Sequence, residues 1–242
     1  MRTFGLIGRS LKHSFSPNYF KEKFEREALH DVRYLAFEID DAESVLKIFE
    51  EGTLGLNVTV PYKESVIPYL DELDPVSNSV MAVNTIMNKD GYLVGYNTDV
   101  YGFERSIEDK MDVLRSGSAL VLGSGGASKA VRFVLERHGI KYKIISRNSG
   151  DLTYEELNSQ IIDEHKFIIN TTPLGMYPDE LEYPEIPYAA LGEKHLVYDL
   201  IYNPEKTLFL TKAEEQGAQI QNGYNMLIFQ AERSWEIWNK KI

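Results

Sequence analysis

The sequence predicts an α/β protein made of two units that follow one another along 242 residues. Three observations predict this organisation. Apolar runs of strand length alternate with stretches of helical periodicity along the chain. A glycine-rich turn, GSGGASKA at 123–130, directly follows one apolar run and opens a helical stretch. The alternation also restarts at Ser118, which places the boundary between the units within 100–117.

The first half alternates strands and helices up to a hairpin. In chain order its predicted elements are strand 3–8, helix 17–29, strand 32–39, helix 42–51, strand 54–59, helical turns over 64–81, strands 83–87 and 93–96, and helix 100–111. Asp90 and Gly91 supply the hairpin turn. This half therefore predicts an α/β unit of its own.

The second half reads as a βαβ unit that continues into a parallel sheet. Its predicted elements are strand 119–122, helix 129–138, strand 143–146, strand 167–170, strand 196–200, helix 205–216 and a final helix 226–240. From the periodicity alone, the final helix could pack on either unit.

Composition narrows the class of protein. Hydrophobic residues make up 43% of the chain, which allows a folded core. The net charge of −11, with no basic run, argues against nucleic acid and anionic membranes as partners. There are no cysteines, and the five histidines lack ligand spacing, so no metal site is predicted. The short apolar start and the absence of a membrane-length run predict a cytoplasmic protein.

The glycine-rich turn has the features of a pyrophosphate site. Gly123 permits a tight exit from the strand, while Gly125 and Gly126 let backbone N–H groups approach a phosphate at the helix N-terminus. Ser128 takes the place of the third glycine of the usual motif. An ordinary strand-to-helix turn is the alternative, and the surrounding βαβ pattern favours a dinucleotide.

The tip of the next strand indicates which dinucleotide binds. An acidic residue there would bind the 2′-hydroxyl of NAD, but the sequence is Ser146-Arg147-Asn148. The guanidinium of Arg147 can pair with the 2′-phosphate of NADP. A solvated surface charge is the alternative reading of Arg147, and the position favours NADP.

Polar clusters end several strands of the first half. In HSFSP, Ser16 before Pro17 is predicted to be a helix N-cap, and Ser14 and Ser16 are candidates to bind an anion there. That cluster alone leaves simple capping and anion binding equally open. In NVTVPYK, Asn57 and Thr59 share one face of a strand.

Lys63, Asn84 and Asp99 complete this set, in NVTVPYK, AVNT and GYNTDVYG. Taken singly, each suits a solvated lysine or a helix cap. Together they supply an ammonium, a carboxylate and amides for one polyhydroxylated ligand. Reduction of a ketone by NADPH needs a proton source near the developing alkoxide, which Lys63 can provide while Asp99 holds a substrate hydroxyl.

Eight collinear motifs carry a family resemblance. They are HSFSP, NVTVPYK, AVNT, GYNTDVYG, GSGGASKA, INTTPLGM at 169–176, DLIYNPEKT at 199–207 and NGYNMLIFQ at 222–230. In these motifs, which span nearly the whole chain, the sequence resembles the shikimate dehydrogenase family. The resemblance implies an N-terminal substrate domain, 1–100 plus 224–242, and a Rossmann-type NADP domain, 101–223, with the last helix returning to the first domain.

The resemblance also implies roles for individual residues. It implies NADPH-dependent reduction of 3-dehydroshikimate to shikimate in aromatic amino-acid biosynthesis, with Lys63 and Asp99 as the catalytic pair. The substrate-binding residues it implies are Ser14, Ser16, Thr59, Asn84, Tyr202 and Gln230. The cofactor-binding residues are Gly123, Ser124, Gly125, Gly126, Ala127, Ser146, Arg147, Asn148, Thr171, Leu200, Gly223 and Met226.

Three features depart from the family pattern. Met81 stands where glycine usually precedes AVNT, Ser146-Arg147-Asn148 replaces the usual Asn-Arg-Thr, and the chain is shorter than most relatives. Two other functions remain open: a quinate or dual quinate/shikimate dehydrogenase, and a non-catalytic NADP-binding sensor. The expected assembly is a monomer or a homodimer.

Overall fold

The computed structural model describes residues 1–240, which divide into two compact units. Unit 1 is Met1–Thr98 together with the chain from Gln230 onward, and unit 2 is Asp99–Phe229. Residues 241 and 242, the last two of the predicted range 224–242, lie outside the described residues. Within residues 1–240, no helix is both long and apolar enough to span a bilayer.

Unit 1 is built on a six-stranded mixed sheet. Its strands are β1 (Arg2–Gly8), β2 (Val32–Glu38), β3 (Thr53–Val58), β4 (Glu72–Leu73), β5 (Thr85–Lys89) and β6 (Tyr92–Tyr96), in the order β2-β1-β3-β5-β6-β4. Its helices are α1 (Phe15–Arg26), α2 (Ser44–Glu50), α3 (Tyr62–Ser65) and α4 (Pro75–Val80), with a 3₁₀ turn at Ile67–Tyr69. The sheet changes from parallel to antiparallel between β3 and β5.

The predicted start of α1 was two residues late. Ser14, and not Ser16, is the N-cap, and the helix begins at Phe15. Ser16 and Pro17 therefore lie inside the first turn. Proline is tolerated throughout a first turn because no N–H there needs an intrahelical partner, so Pro17 alone does not fix the first helical residue.

Unit 2 contains a five-stranded parallel sheet. Its strands are β7 (Ser118–Leu122), β8 (Lys141–Ile145), β9 (Phe167–Asn170), β10 (Leu196–Asp199) and β11 (Gln219–Gln221), in the order β11-β10-β9-β7-β8. The strands β7, β9 and β10 are almost wholly buried, as expected for a sheet covered on both faces. The chain reverses its direction of travel across the sheet between β7 and β9, and such switch points bind ligands at the carboxyl ends of the strands.

Two helices contain residues of both units. They are α5 (Thr98–Ser106) and α10 (Tyr224–Trp238). The remaining helices of unit 2 are α6 (Met111–Arg115), α7 (Gly126–Arg137), α8 (Ser159–Glu164) and α9 (Leu208–Glu215), with 3₁₀ turns at Glu108–Lys110, Tyr154–Glu156 and Tyr188–Ala190. The predicted helix 100–111 is thus α5, a 3₁₀ turn and the start of α6.

The C-terminal part of α10 packs in the core of unit 1. Trp238 stacks on Phe4 with ring centroids 4.9 Å apart, and its indole Nε1 donates to the carbonyl of Ile86 at 3.0 Å. Gly55 leaves room for this ring, because a Cβ there would lie 2.2 Å from Nε1. Replacing a core tryptophan by alanine costs about 3–5 kcal/mol. The last helix therefore returns to unit 1 because its tryptophan forms part of that unit's core.

Candidate active site

The glycine-rich turn leaves the switch point of the unit 2 sheet. Gly123 has a φ of +104°, and a Cβ there would lie 2.9 Å from Thr171 Oγ1, so both backbone conformation and space demand glycine. Gly125 is the N-cap of the twelve-residue α7, and a Cβ there would meet nothing within 4 Å. Because Gly125, Gly126 and Ala127 are exposed, the first N–H groups of α7 are open to a phosphate.

Ser128, in the place of the third glycine, is compatible with this turn. Its side chain is fully buried, and its hydroxyl donates to the carbonyl of Gly125 at 2.6 Å. The hydroxyl is therefore satisfied within the first turn of α7 and does not compete for the exposed N–H groups. The departure from the glycine motif leaves the phosphate-binding geometry in place.

Hydroxyl groups gather beside this turn at the carboxyl end of β8. Ser124 Oγ shares hydrogen bonds with Ser146 Oγ at 3.0 Å and with Ser149 Oγ at 2.9 Å. Arg147 and Asn148 follow Ser146 and are exposed. Burial raises the pKa of Tyr154, and the nearby positive charge of Arg147 opposes that rise. The guanidinium thus lies at the strand tip where a 2′-phosphate is expected. Ser149 was not singled out from the sequence, because only the fold brings it against Ser124.

The ends of β9 and β10 bring further predicted cofactor residues together. Thr171 Oγ1 donates to the carbonyl of Leu122 at 2.7 Å, which places it against the glycine-rich turn. The backbone of Leu200 packs on Gly223, where a Cβ would lie 2.0 Å from the Leu200 oxygen. Met226 is buried in the first turn of α10. Tyr202 is half-buried in unit 2, and burial raises its pKa.

Asp199 is a buried carboxylic acid that the sequence motifs did not assign to the site. It ends β10 with no exposed surface, and burial raises its pKa to about 7. Its carboxyl accepts hydrogen bonds from Thr207, Asn170 and the backbone N–H of Ile201. A usable sequence signal existed, because Asp199 follows directly on an apolar strand in DLIYNPEKT.

The predicted substrate residues of unit 1 centre on Asn84. Its Nδ2 donates to Thr98 Oγ1 at 2.9 Å and to Gln230 Oε1 at 3.4 Å. Asn57 Nδ2 donates to the carbonyl of Asn84 at 3.2 Å and to Ser234 Oγ at 2.9 Å. The buried polar side chains of β3, of Asn84 directly before β5 and of α10 therefore form one network. Ser234 and its hydrogen bonds were not predicted, because they join positions far apart in the sequence.

Ser16 extends this network toward α1. Burial raises the pKa of Tyr34 well above its ordinary value, and a side-chain hydrogen bond with Ser16 opposes the rise. The Tyr34 hydroxyl also donates to Asn57 Oδ1 at 2.8 Å. Ser14 makes no side-chain hydrogen bond to the first turn of α1 as its cap. Both serines therefore lie at the N-terminus of α1. Ser14 occupies the N-cap position, and Ser16 is hydrogen-bonded to Tyr34.

The two predicted catalytic residues lie in helical first turns. Lys63 is half-buried in α3, and its carbonyl accepts from the N–H of Val83 at 2.7 Å. Thr59 directly follows β3, and its N–H donates to the carbonyl of Ile7 at 3.0 Å. Asp99 is half-buried in the first turn of α5. Lys63 and Asp99 each have part of their surface open to a ligand.

Within the part of the chain that the structure describes, no group of three His, Cys, Asp or Glu side chains is arranged to hold a metal ion.

The family model for the shikimate dehydrogenase substrate-binding domain matches residues 6–86. A shikimate dehydrogenase (NADP(+)) of Desulforamulus reducens is 37% identical, covering 97% of this chain and 88% of the relative. The chain belongs to the shikimate dehydrogenase family. The predicted resemblance is confirmed, and so is the expected two-domain α/β fold with its Rossmann-type part.

Two solved structures of the family are similar over 99% of this chain. A shikimate 5-dehydrogenase of Thermus thermophilus, in complex with NADP(H) and shikimate, is 28% identical with a TM-score of 0.87 and 94% of its own chain covered. A quinate dehydrogenase of Corynebacterium glutamicum, in complex with NAD, is 26% identical with a TM-score of 0.88 and 94% covered. The same fold is thus shared by proteins named for shikimate and for quinate.

Proposed function

We propose that this chain catalyses the reversible NADP-dependent reduction of 3-dehydroshikimate to shikimate, a step of aromatic amino-acid biosynthesis. The observation that carries the proposal is the likeness, over 99% of the chain, to an enzyme whose structure holds NADP(H) and shikimate. The residues of the eight motifs add support of their own, since their chemistry suits these two ligands. In this proposal most of the substrate-binding residues belong to unit 1, and the cofactor-binding residues belong to unit 2.

The fit of unit 2 to NADP rests on its own residues. The exposed N–H groups of Gly125, Gly126 and Ala127 suit the pyrophosphate, because a helix N-terminus stabilises negative charge. Arg147 suits the 2′-phosphate, with the hydroxyl groups of Ser124 and Ser146 beside it. The remaining contacts proposed for the cofactor come from Asn148, Gly123, Thr171, Leu200, Gly223 and Met226.

The fit of unit 1 to the substrate rests on charge and hydrogen bonding. Ser14 and Ser16, at the N-terminus of α1, suit the substrate carboxylate. Thr59, Asn84 and Gln230 supply hydroxyl and amide groups for the substrate hydroxyls. Because Asn84 and Gln230 are already held by neighbouring side chains, they would meet the ligand in a fixed orientation. Tyr202 is proposed, from its motif alone, to line the substrate ring.

The reaction adds a hydride and a proton to a ketone. Bound NADPH supplies the hydride to the carbonyl carbon. The Lys63 ammonium donates a proton to the carbonyl oxygen and stabilises its developing negative charge. The Asp99 carboxylate accepts a hydrogen bond from a substrate hydroxyl and so orients the substrate. In the reverse direction, Lys63 accepts the proton of the substrate hydroxyl.

Quinate is the second candidate substrate, because a quinate dehydrogenase has the same fold with a TM-score of 0.88. A side-by-side assay of shikimate and quinate, each with NADP and with NAD, separates the two. We expect the highest kcat/KM for shikimate with NADP. Faster turnover of quinate with NAD would overturn the proposal, and binding of NADP without turnover of either substrate would favour a sensor.

We also propose a cytoplasmic location and a monomeric or homodimeric state.

A further inference from the structure

The buried carboxyl of Asp199 occupies a junction of three elements in unit 2. Its Oδ1 accepts from Asn170 Nδ2 at 3.0 Å and from the Ile201 N–H at 3.1 Å, and its Oδ2 accepts from Thr207 Oγ1 at 2.6 Å. These partners belong to the end of β9, the turn after β10 and the N-cap of α9. A buried carboxylate is a poor source of stability, since burial raises its pKa to about 7. Its partners suggest a different use.

The first partner fixes the turn after β9. Asn170 Oδ1 accepts from the N–H and the hydroxyl of Thr172, at 3.0 and 2.6 Å. Because Asp199 holds the other end of the same amide, the Asn170 side chain has one orientation. The turn that it closes carries Thr171, whose hydroxyl donates to Leu122 beside the glycine-rich turn.

The second partner fixes the turn after β10. The N–H of Ile201 donates to Asp199, and the Ile201 carbonyl accepts from the N–H of Gly223 at 3.1 Å. In the same turn the Leu200 carbonyl lies against Gly223, where no side chain would fit. One carboxyl therefore connects Thr171, Leu200 and Gly223, three residues proposed above to contact the cofactor.

We infer that Asp199 is a positioning residue for the dinucleotide, which holds the turns after β9 and β10 in the arrangement that binds it. The inference rests on the proposed NADP-dependent function. Asp199 itself has no exposed surface, so it acts only through Asn170 and Ile201. Misplacement of binding groups by about 1 Å can cost a factor of up to 10² in enzyme function.

Two variants of Asp199 test the inference by titration of NADPH fluorescence, with KM for NADP and for shikimate as a second readout. Asp199→Ala removes both acceptor oxygens and all three hydrogen bonds, and we expect the Kd of NADPH to rise about tenfold or more. Asp199→Asn keeps an acceptor for Asn170 and Ile201, and Thr207 can reverse its hydroxyl to accept from the new amide, so we expect affinity within about threefold of wild type. KM for NADP should rise more than KM for shikimate in Asp199→Ala.

Ile162→Ala is the matched control, because it opens a cavity in the core of the same unit without touching either turn. It should lower thermal stability while leaving NADPH affinity within about threefold of wild type. An Asp199→Ala protein that binds NADPH as wild type does, or an Ile162→Ala protein that loses as much affinity, would overturn the inference. A wild-type chain that does not bind NADP at all would instead overturn the proposed cofactor and this inference with it.

A second pair of variants decides the matter if Asp199→Ala does not fold. Asn170→Ala breaks the connection between Asp199 and the turn that carries Thr171. Thr207→Val removes the bond from Asp199 to α9 and leaves both turns connected. We expect Asn170→Ala alone to weaken NADPH binding. Equal effects from the two variants would show that Asp199 acts on general stability and not on the turns.

Discussion

The Asn84 side chain is hydrogen-bonded to Thr98, the first residue of α5. Asn84 Oδ1 accepts from the backbone N–H of Thr98 at 2.7 Å, and Asn84 Nδ2 donates to Thr98 Oγ1 at 2.9 Å. An asparagine beside β5 thus satisfies an orphan N–H at the start of a helix, which a local N-cap would otherwise do. Asp99, the proposed catalytic carboxylate, is the next residue of that helix.

Replacement of this asparagine should destabilise unit 1. Asn84→Ala leaves the buried Thr98 N–H without this acceptor, and we expect a loss of about 1–3 kcal/mol in unfolding free energy. Urea unfolding followed by tryptophan fluorescence reports on unit 1, because both tryptophans of the chain, Trp235 and Trp238, lie there. Asn78→Ala, at an exposed position of α4 in the same unit, is the control. A loss as large in the control would contradict this role for Asn84.

A methyl group added at Gly125 should block the cofactor and nothing else. Its Cβ would meet no protein atom within 4 Å, and its φ of −76° suits alanine. We therefore expect Gly125→Ala to keep the wild-type melting temperature, while the Kd of NADPH rises about tenfold because the pyrophosphate approaches this backbone. Gly117→Ala, whose Cβ would make only ordinary contacts at 3.9 Å, is the control. Unchanged affinity in Gly125→Ala would place the pyrophosphate elsewhere.

Arg147 should determine the preference for NADP over NAD. Arg147→Ala removes a charge-assisted pair with the 2′-phosphate, worth about 1.5–3 kcal/mol, so KM for NADP should rise by a factor of about ten or more. KM for NAD, which lacks that phosphate, should change little. Steady-state kinetics with both cofactors measure the ratio, and Arg115→Ala, on α6, serves as the control. An equal rise in KM for NADP and for NAD would show that Arg147 does not recognise the 2′-phosphate specifically.

Lys63 should act in the chemical step. Lys63→Ala removes the proton donor, and we expect kcat to fall by about 10² or more while NADPH still binds. Lys47→Ala, at an exposed position of α2, should leave kcat unchanged. Single-turnover kinetics beside a NADPH titration separate the chemical step from binding. Wild-type turnover in Lys63→Ala would remove lysine from the mechanism.

The stability of unit 2 should depend on pH through Asp199. Its pKa rises from 3.8 to about 7 on folding, so the folded protein binds more protons than the unfolded chain between these values. Stability from this group is therefore full below about pH 4 and falls as the pH rises toward 7. The neighbouring tyrosines, Tyr188 and Tyr198, have pKa values raised far above this window and do not titrate in it.

Asp199→Asn removes this titration while nearly preserving the shape of the side chain. We expect the variant to gain stability relative to wild type as the pH rises from about 4 to about 7, and to keep a constant difference above that. Hydrogen exchange of unit 2 peptides in urea at several pH values gives the comparison. A difference that stays constant across the whole range would show that Asp199 keeps an ordinary pKa in the folded protein.

The sequence predicted the architecture well where one strand or helix is long enough to show its period. The βαβ pattern around the glycine-rich turn is an example, since its strands are continuous apolar runs. The strands β4 and β11 were not predicted, because two and three residues show no periodicity and are defined only by pairing with β6 and β10. Local pattern cannot reveal an element that exists through its neighbour's hydrogen bonds.

The residues of the candidate site divide in the same way, into those that a local pattern indicates and those that only the fold brings together. Lys63 and Asp99 became candidates only as members of a set of polar clusters, since each taken singly suits a solvated lysine or a helix cap. Arg147 became a candidate through its place after the strand that follows the glycine-rich turn. The roles of all three stay predictions. The bond between Ser124 and Ser149, and that between Asn57 and Ser234, join residues that only the folded chain brings together. The wrong N-cap at Ser16 has a local cause, since either serine of HSFSP has the composition of a cap.

The packing of Trp238 against Gly55 and Phe4 also sets an order for folding during synthesis. The first 98 residues leave the ribosome without Trp235 and Trp238, the two largest side chains of the cluster around Phe4 and Phe20. Unit 2 is continuous in sequence, so its core does not depend on a later segment of the chain. The core of unit 1 therefore cannot be completed until residues 231–238 have been made, which is after the whole of unit 2.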